Sequence, residues 1–165
     1  MGKTQQHLMD AFAGESQANR KYLAYAKQAD KEGHKEVAKL FRAAAAAETV
    51  HAHAHLRAAG GIGDTAENLK DAIAGETHEF KTMYPEMIKD AEAEGEKTAL
   101  RSFSYANEVE EIHANLYKKA LETLESPESV DCYYVCQVCG YTVADEKPEK
   151  CPVCGAASSA FEAVE

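Results

Sequence analysis

The 165-residue sequence predicts an all-α four-helix bundle followed by a small, mainly β and loop domain that carries the cysteines. Three observations lead there. Residues 4 to about 125 hold long stretches of apolar residues at 3–4 spacing, broken by grouped glycines and one proline, Pro85. That stretch is written twice. The five cysteines, Cys132, Cys136, Cys139, Cys151 and Cys154, all lie in the last quarter. The expected division is 1–128 for the bundle and 129–165 for the tail.

The first helix is expected from about Thr4, as N-cap, to Asp30, ahead of Gly33. The second runs from about Lys35 to Ala59 and stops at Gly60-Gly61. The third opens at Asp64, with Glu67 completing a capping box, and continues to about Ala93 with a kink at Pro85. The fourth runs from about Glu96 to Glu125, before Ser126-Pro127. The stretch "GGIGD" (60–64) lacks the Lys-Ser/Thr of a phosphate loop and reads as a connection.

The repeat is direct. "AGESQANRKY" (13–22) returns further along the chain as "AGETHEFKTMY" (74–84). "KQADKEGHKEVAKLF" (27–41) matches "KDAEAEGEKTALRSF" (89–103), and "ETVH" (48–51) matches "EEIH" (110–113), both at an offset of 62. The chain up to residue 125 is therefore two helical hairpins, each too amphipathic to stand without a partner.

Every apolar stripe carries a carboxylate near its middle: Glu15, Glu48, Glu76 and Glu110. A lone Glu on a helix is ordinarily solvated, but four on four apolar faces need a positive partner, because an uncompensated buried charge costs several kcal/mol. With Glu79, one turn after Glu76, five carboxylates total about −5, and two dications offset most of it. Glu48/His51 and Glu110/His113 are Glu-x-x-His pairs on one helical face. One Glu from each of two helices and Glu-x-x-His from the other two is the ligand pattern of ferritin-like di-iron or di-manganese bundles. Glu79 stands where the first copy has Ala18, so the two metal positions are not equivalent. Tyr22 and Tyr84 fall near the carboxylates, as core or as phenols bonded to metal carboxylates. His53 and His78 point off the stripe, and His55 belongs to the bundle end or behind the ligands.

A formal charge of −10 argues against nucleic acid and against an anionic membrane. No apolar run approaches a membrane span and no signal peptide opens the chain, so a cytoplasmic protein is expected. In a reducing compartment the clustered cysteines read as a metal site rather than disulfides. Cys136-x-x-Cys139 and Cys151-x-x-Cys154 are two knuckles that make a tetrahedral four-sulfur site suited to zinc or iron. Cys132 is outside both and is expected to be a free thiol.

The flanks tilt the metal towards iron. Tyr134, the "CGY" after Cys139, "CPVCG" and Phe161 resemble rubredoxin. Bundle plus tail resembles the rubrerythrin family over essentially the whole chain. The resemblance implies a di-iron site of two iron ions and one further iron held by four cysteines. Glu48 and Glu110 would bridge the irons, Glu15 and Glu79 would serve one and Glu76 and His113 the other. His51 would exchange with Glu79 on oxidation. The implied activity is peroxidase: hydrogen peroxide is reduced to water, with Glu79, His51, Tyr22 and Tyr84 nearest the chemistry. The tail would relay electrons from a donor such as a rubredoxin or an NAD(P)H-dependent reductase. Iron oxidation and handling, as in ferritins, is the alternative, and an adaptor with zinc in the tail is a third reading.

The tail leaves the fourth helix two to three turns beyond the ligands, roughly 20 Å along the axis at about 1.5 Å per residue. A partner's tail could come closer, so a head-to-tail homodimer is expected. The hairpins of one bundle come from one chain or are domain-swapped between two, with "GGIGD" as the crossing point.

Overall fold

The computed structural model describes residues 2–165 and separates into two compact units, one ending at Gly63 and one spanning Asp64–Glu165.

The first unit is a hairpin of α1 (Lys3–Lys31) and α2 (Lys35–Ala58). Its buried positions are all alanine: Ala26, Ala29, Ala38, Ala45 and Ala52. Side chains that small let two helices approach closely along their length. Asn19 on α1 donates to the Ala45 carbonyl at 2.7 Å and to Thr49 at 2.8 Å on α2. Tyr22, Tyr25 and Phe41 stack beside this seam, with centroids 5.5 to 6.3 Å apart. Thr4 is not the cap expected of it: α1 begins one residue earlier, behind Gly2, with no side-chain cap.

The second unit repeats the hairpin. α3 (Thr65–His78) starts with the expected capping box between Asp64 and Glu67. α4 (Tyr84–Glu94) and α5 (Lys97–Glu122) complete it. The repeat extends into packing: Ala29 and Ala91 are both buried, as are Ala52 and Ala114. Tyr84 stacks on Phe103 at 6.4 Å, as Tyr22 does on Phe41 at 6.2 Å.

Where the sequence predicts a kink at Pro85, the structure has a π turn at Glu79–Met83, between α3 and α4. The Tyr84 N–H bonds to the Glu79 carbonyl, five residues back. The copies explain it. Glu15 and Glu76 are repeat mates at an offset of 61, whereas Tyr22 and Tyr84 are mates at an offset of 62. The second copy holds one residue more, and a π turn absorbs a single extra residue without disturbing the helix on either side. Pro85 follows in the first turn of α4. Its missing N–H would have left the Lys81 carbonyl without an α-type donor, and its ring would have crowded that carbonyl. The wider turn relieves both.

The tail folds as a three-stranded antiparallel sheet of β1 (Tyr133–Cys136), β2 (Thr142–Ala144) and β3 (Phe161–Val164), in the order β2-β1-β3. Its core is Cys136, Cys151 and Phe161, with Tyr134, Tyr141, Val143 and Val153 packed on it. Phe161 lies opposite Cys136 in the β1–β3 register and meets Tyr141 edge-on at 6.2 Å. Four helical segments followed by a small strand-and-loop domain is the fold class expected from the sequence.

Candidate metal centres

In the first unit Glu15 from α1 and Glu48 and His51 from α2 each turn one donor atom into a space less than 4.8 Å across. His51 Nδ1 is 2.8 Å from Glu48 Oε2. Glu48 is mostly covered, at 18% exposure, but His51 is 55% exposed.

The second unit builds the same set one repeat later, from Glu76 on α3 and Glu110 and His113 on α5. His113 Nδ1 is 2.8 Å from Glu110 Oε2 and 3.8 Å from Glu76 Oε1. Burial, then the nearby Glu110 carboxylate, push the Glu76 carboxyl up to about 7 from the usual 4.5. Burial and Glu110 also raise Glu79, whose charge is felt by this cluster although its oxygens are not among the three that converge. Burial raises the Tyr84 phenol, followed by the charges of Glu79, Glu110 and Glu76. Two oxygens and one nitrogen, negative and crowded, are a donor set for a dication such as iron.

The tail brings four sulfurs together. Cys136 Sγ and Cys154 Sγ are 3.7 Å apart, and Cys139 Sγ and Cys151 Sγ 3.5 Å. A tetrahedron with metal–sulfur bonds of about 2.3 Å has edges of roughly 3.8 Å, so this cage already fits one ion. Gly140 (φ +87°) and Gly155 (φ +75°) close the two knuckles, donating to the carbonyls of Cys136 and Cys151. Only glycine takes that backbone without strain. At Cys136 burial works against ionisation, but the N–H groups of Val138 and Cys139 outweigh it and hold the thiol below its usual range. Burial raises Cys139 and Cys154, which the Tyr141 and Ala156 N–H groups partly oppose. Those N–H groups suit thiolates bound to a metal. Cys132 lies outside this cluster.

One contact overturns an expectation. The tail does not stay far from its own chain's candidate ligands. It folds back along α5, and His113 Nε2 sits 2.9 Å from Thr142 Oγ1 at the start of β2. Val109 on α5 lies 3.6 Å from where a Cβ on Gly140 would be. The four-cysteine domain therefore touches a candidate ligand of its own chain, three residues along from Cys139.

The other candidates fall outside the clusters. Tyr22 packs on Tyr25 and Phe41. His53 and His78 are exposed and His55 is partly buried. Two features escaped the sequence reading. Thr142 carries no metal-ligand signature. Asn107 on α5, one turn before Glu110, has a buried Oδ1 with no hydrogen-bond partner among the described residues.

Comparison with known proteins agrees over the full length. The family model described as Rubrerythrin matches residues 6–121, and that of the rubrerythrin rubredoxin-like domain matches 134–162. Rubrerythrin-2 of Clostridium acetobutylicum is 35% identical over 97% of this chain and 96% of its own. Nigerythrin of Nitratidesulfovibrio vulgaris is 33% identical over 99% of this chain and 87% of its own. The structure of nigerythrin in its fully reduced, all-ferrous state is 32% identical, covers 99% of this chain and 88% of that one, and has a TM-score of 0.60. With donor sets that fit iron at both centres, the chain belongs to the rubrerythrin family of di-iron proteins, oxidoreductases of oxidative stress, and its cofactors are a di-iron centre and a four-cysteine iron.

Proposed function

We propose that the protein is a peroxidase that reduces hydrogen peroxide to water, with residues 129–165 as electron relay and 1–128 as the reacting domain. One hydrogen peroxide, two electrons and two protons give two waters. The ligands of the iron pair would be Glu15, Glu48, His51, Glu76, Glu79, Glu110 and His113, and those of the relay iron Cys136, Cys139, Cys151 and Cys154. Iron at the paired site supplies the two electrons that peroxide reduction consumes, and a four-thiolate iron is suited to passing single electrons with little change of geometry.

The observation that carries this reading is the His113–Thr142 contact, which joins the four-sulfur domain to one of the carboxylate clusters. A storage protein has no need of such a junction. His51, half exposed and held by Glu48, is the histidine free to leave a metal. His113 is held from both sides of its ring. Glu79, raised by burial and by Glu110, is helped to ionise by a nearby cation and serves as the spare carboxylate. Tyr84 keeps its proton in the field of three carboxylates and can donate to one of them.

The reading includes a cytoplasmic location; no helix among the described residues is long and apolar enough to cross a membrane. It also includes an assembly of at least two copies, possible through hairpin exchange, since α2 leaves Leu40 and Val50 68% and 63% exposed. The donor would be a rubredoxin or an NAD(P)H-dependent reductase.

The test is anaerobic stopped-flow of the iron-loaded, reduced chain against hydrogen peroxide, with a reduced rubredoxin-type donor. Repeated turnover with iron retained is expected. Oxidation of added ferrous iron without donor-driven peroxide turnover would replace this reading with iron handling.

A further inference from the structure

The two Glu-x-x-His pairs are repeat mates, yet their histidines are held differently. His51 is 55% exposed and His113 26%. One difference is Thr142, which stands against the His113 ring.

The acceptors at that junction direct a proton to His113 Nε2. Thr142 Oγ1 lies 3.0 Å from the Gly140 carbonyl, which can only accept, so the hydroxyl proton is spent there. The oxygen then has lone pairs alone to offer His113 Nε2 at 2.9 Å. Nε2 is then the donor of this pair, and the Gly140 carbonyl, which also bonds to the His113 ring, draws the proton the same way. In the neutral ring Nδ1 is therefore the acceptor, and it faces the Glu110 and Glu76 oxygens at 2.8 and 3.8 Å, with a proton between Nδ1 and Glu110 until a metal takes its place. Three electron-rich atoms around one point call for a cation. The junction also edges a cavity of about 270 Å³ walled by Leu116, Tyr117, Tyr133, Val135 and Val164.

We propose that Thr142 is a positioning residue for the second metal half-site: by accepting the Nε2 proton it fixes His113 in the tautomer that turns Nδ1 to the metal. The half-site on α3 and α5 is thereby completed by a residue of the four-cysteine domain. The inference uses the assignment of these clusters as metal sites but not the peroxidase reading.

The experiment uses the full chain loaded with zinc, which is diamagnetic, as wild type, Thr142→Val and Thr142→Ser. Imidazole nitrogen NMR reports which ring nitrogen of His113 carries the proton, and chelator competition reports zinc affinity. The wild type should show a protected Nε2 proton. Thr142→Val should lose that protection and bind zinc at this half-site about tenfold more weakly, within the range for lost outer partners. Thr142→Ser should restore both, with the four-cysteine zinc and the His51 cluster unchanged throughout. If valine disturbs the strand and the four-cysteine metal is lost, Thr142→Ala against Thr142→Ser decides on the same two readouts. A wild-type spectrum and affinity in the hydroxyl-free variant would overturn the proposal. Neither readout involves peroxide, so the peroxidase reading and this one fail separately.

Discussion

Glu76 on α3 and Glu110 on α5 crowd their carboxylates against one imidazole, that of His113, 3.8 and 2.8 Å from its Nδ1. Without a metal this arrangement holds protons. Glu76 is pushed up to about 7 by burial and Glu110, and His113 is raised above its usual 6.5, first by its hydrogen bond to Glu110.

The sign of the pH dependence follows. Unfolded, Glu76 releases its proton near 4.5, and folded near 7. Between those values the folded chain binds more protons, so its stability falls as pH rises. His113 acts in the same direction: its contribution is present below the unfolded value and is lost as pH rises through the raised one. The metal-free chain should therefore lose Tm between about pH 5 and pH 8 relative to Glu76→Gln, whereas bound metal, which needs the ionised carboxylate, should stabilise the wild type over the variant. Paired thermal melts check it. A metal-free difference that stays constant with pH would mean that Glu76 is solvated, and a wild type that gains as pH rises would mean that the fold stabilises its ionised form.

The sulfur cage gives a second expectation. Cys136→Ser or Cys151→Ser should abolish the ferric-thiolate colour and reduce donor-driven turnover to background. The hairpins should stay folded, and chemically reduced protein should still consume peroxide. Cys132→Ala should change neither colour nor turnover, because Cys132 stands outside the cluster. Absorption spectra and donor-coupled assays separate the two cases; a colourless Cys132→Ala protein would mean the ligand set is wrong.

The His113–Thr142 contact within one chain makes a third. Mix a chain carrying Cys136→Ser and Cys151→Ser with one carrying Glu110→Ala and His113→Ala. If electrons pass from each tail to its own α5, no donor-driven turnover should return. Recovery towards the level of one intact chain would show that the tail serves a partner's ligands instead.

Most of this molecule is legible in its sequence because its signals are periodic and local. Four stripes, each interrupted by Glu15, Glu48, Glu76 or Glu110, locate helices and donors together, and two CxxC knuckles locate the cage. What escaped is tertiary or lies in a single offset. Thr142 matters only because the tail folds back on α5, and nothing in its own spacing says so. The expectation of a tail remote from its own ligands failed for the same reason: distance along a helix ignores the return of the chain. The π turn was signalled by the change of offset from 61 to 62 between Glu76 and Tyr84, although Pro85 drew the kink to itself.

Asn107 tests whether an orphaned group is a flaw or a tool. Its repeat mate is Ala45, buried in the first hairpin. A buried acceptor left unsatisfied costs about 1–3 kcal/mol. Asn107→Ala should therefore leave stability unchanged or raise it by about 1 kcal/mol in urea unfolding, with metal content intact. Destabilisation by more than that would mean that Asn107 has a partner in solution. Normal stability with lost peroxide turnover would assign it to substrate.

The extra residue of the second copy is the last test, and it separates a ligand from its scaffold. Glu79→Ala matches Ala18 while keeping the π turn, so folding and most metal content should survive. Removing a negative ligand disfavours the higher iron charge, so the potential of the pair should rise and oxidation by peroxide should slow. Deleting Glu79 instead removes both the carboxylate and the additional residue, and the segment should close into continuous α-helix as α1 does from Lys3 to Lys31. Pro85 would then sit inside an ordinary helix, at a cost of about 3 kcal/mol or more. The deletion alone should be strongly destabilised, whereas the deletion combined with Pro85→Leu, the residue found at Leu23, should recover most of that loss. Melting curves with potentiometry distinguish the arms. If Glu79→Ala leaves kinetics and potential unchanged while the deletion changes both, the π turn acts by placing its neighbours and Glu79 is not a ligand.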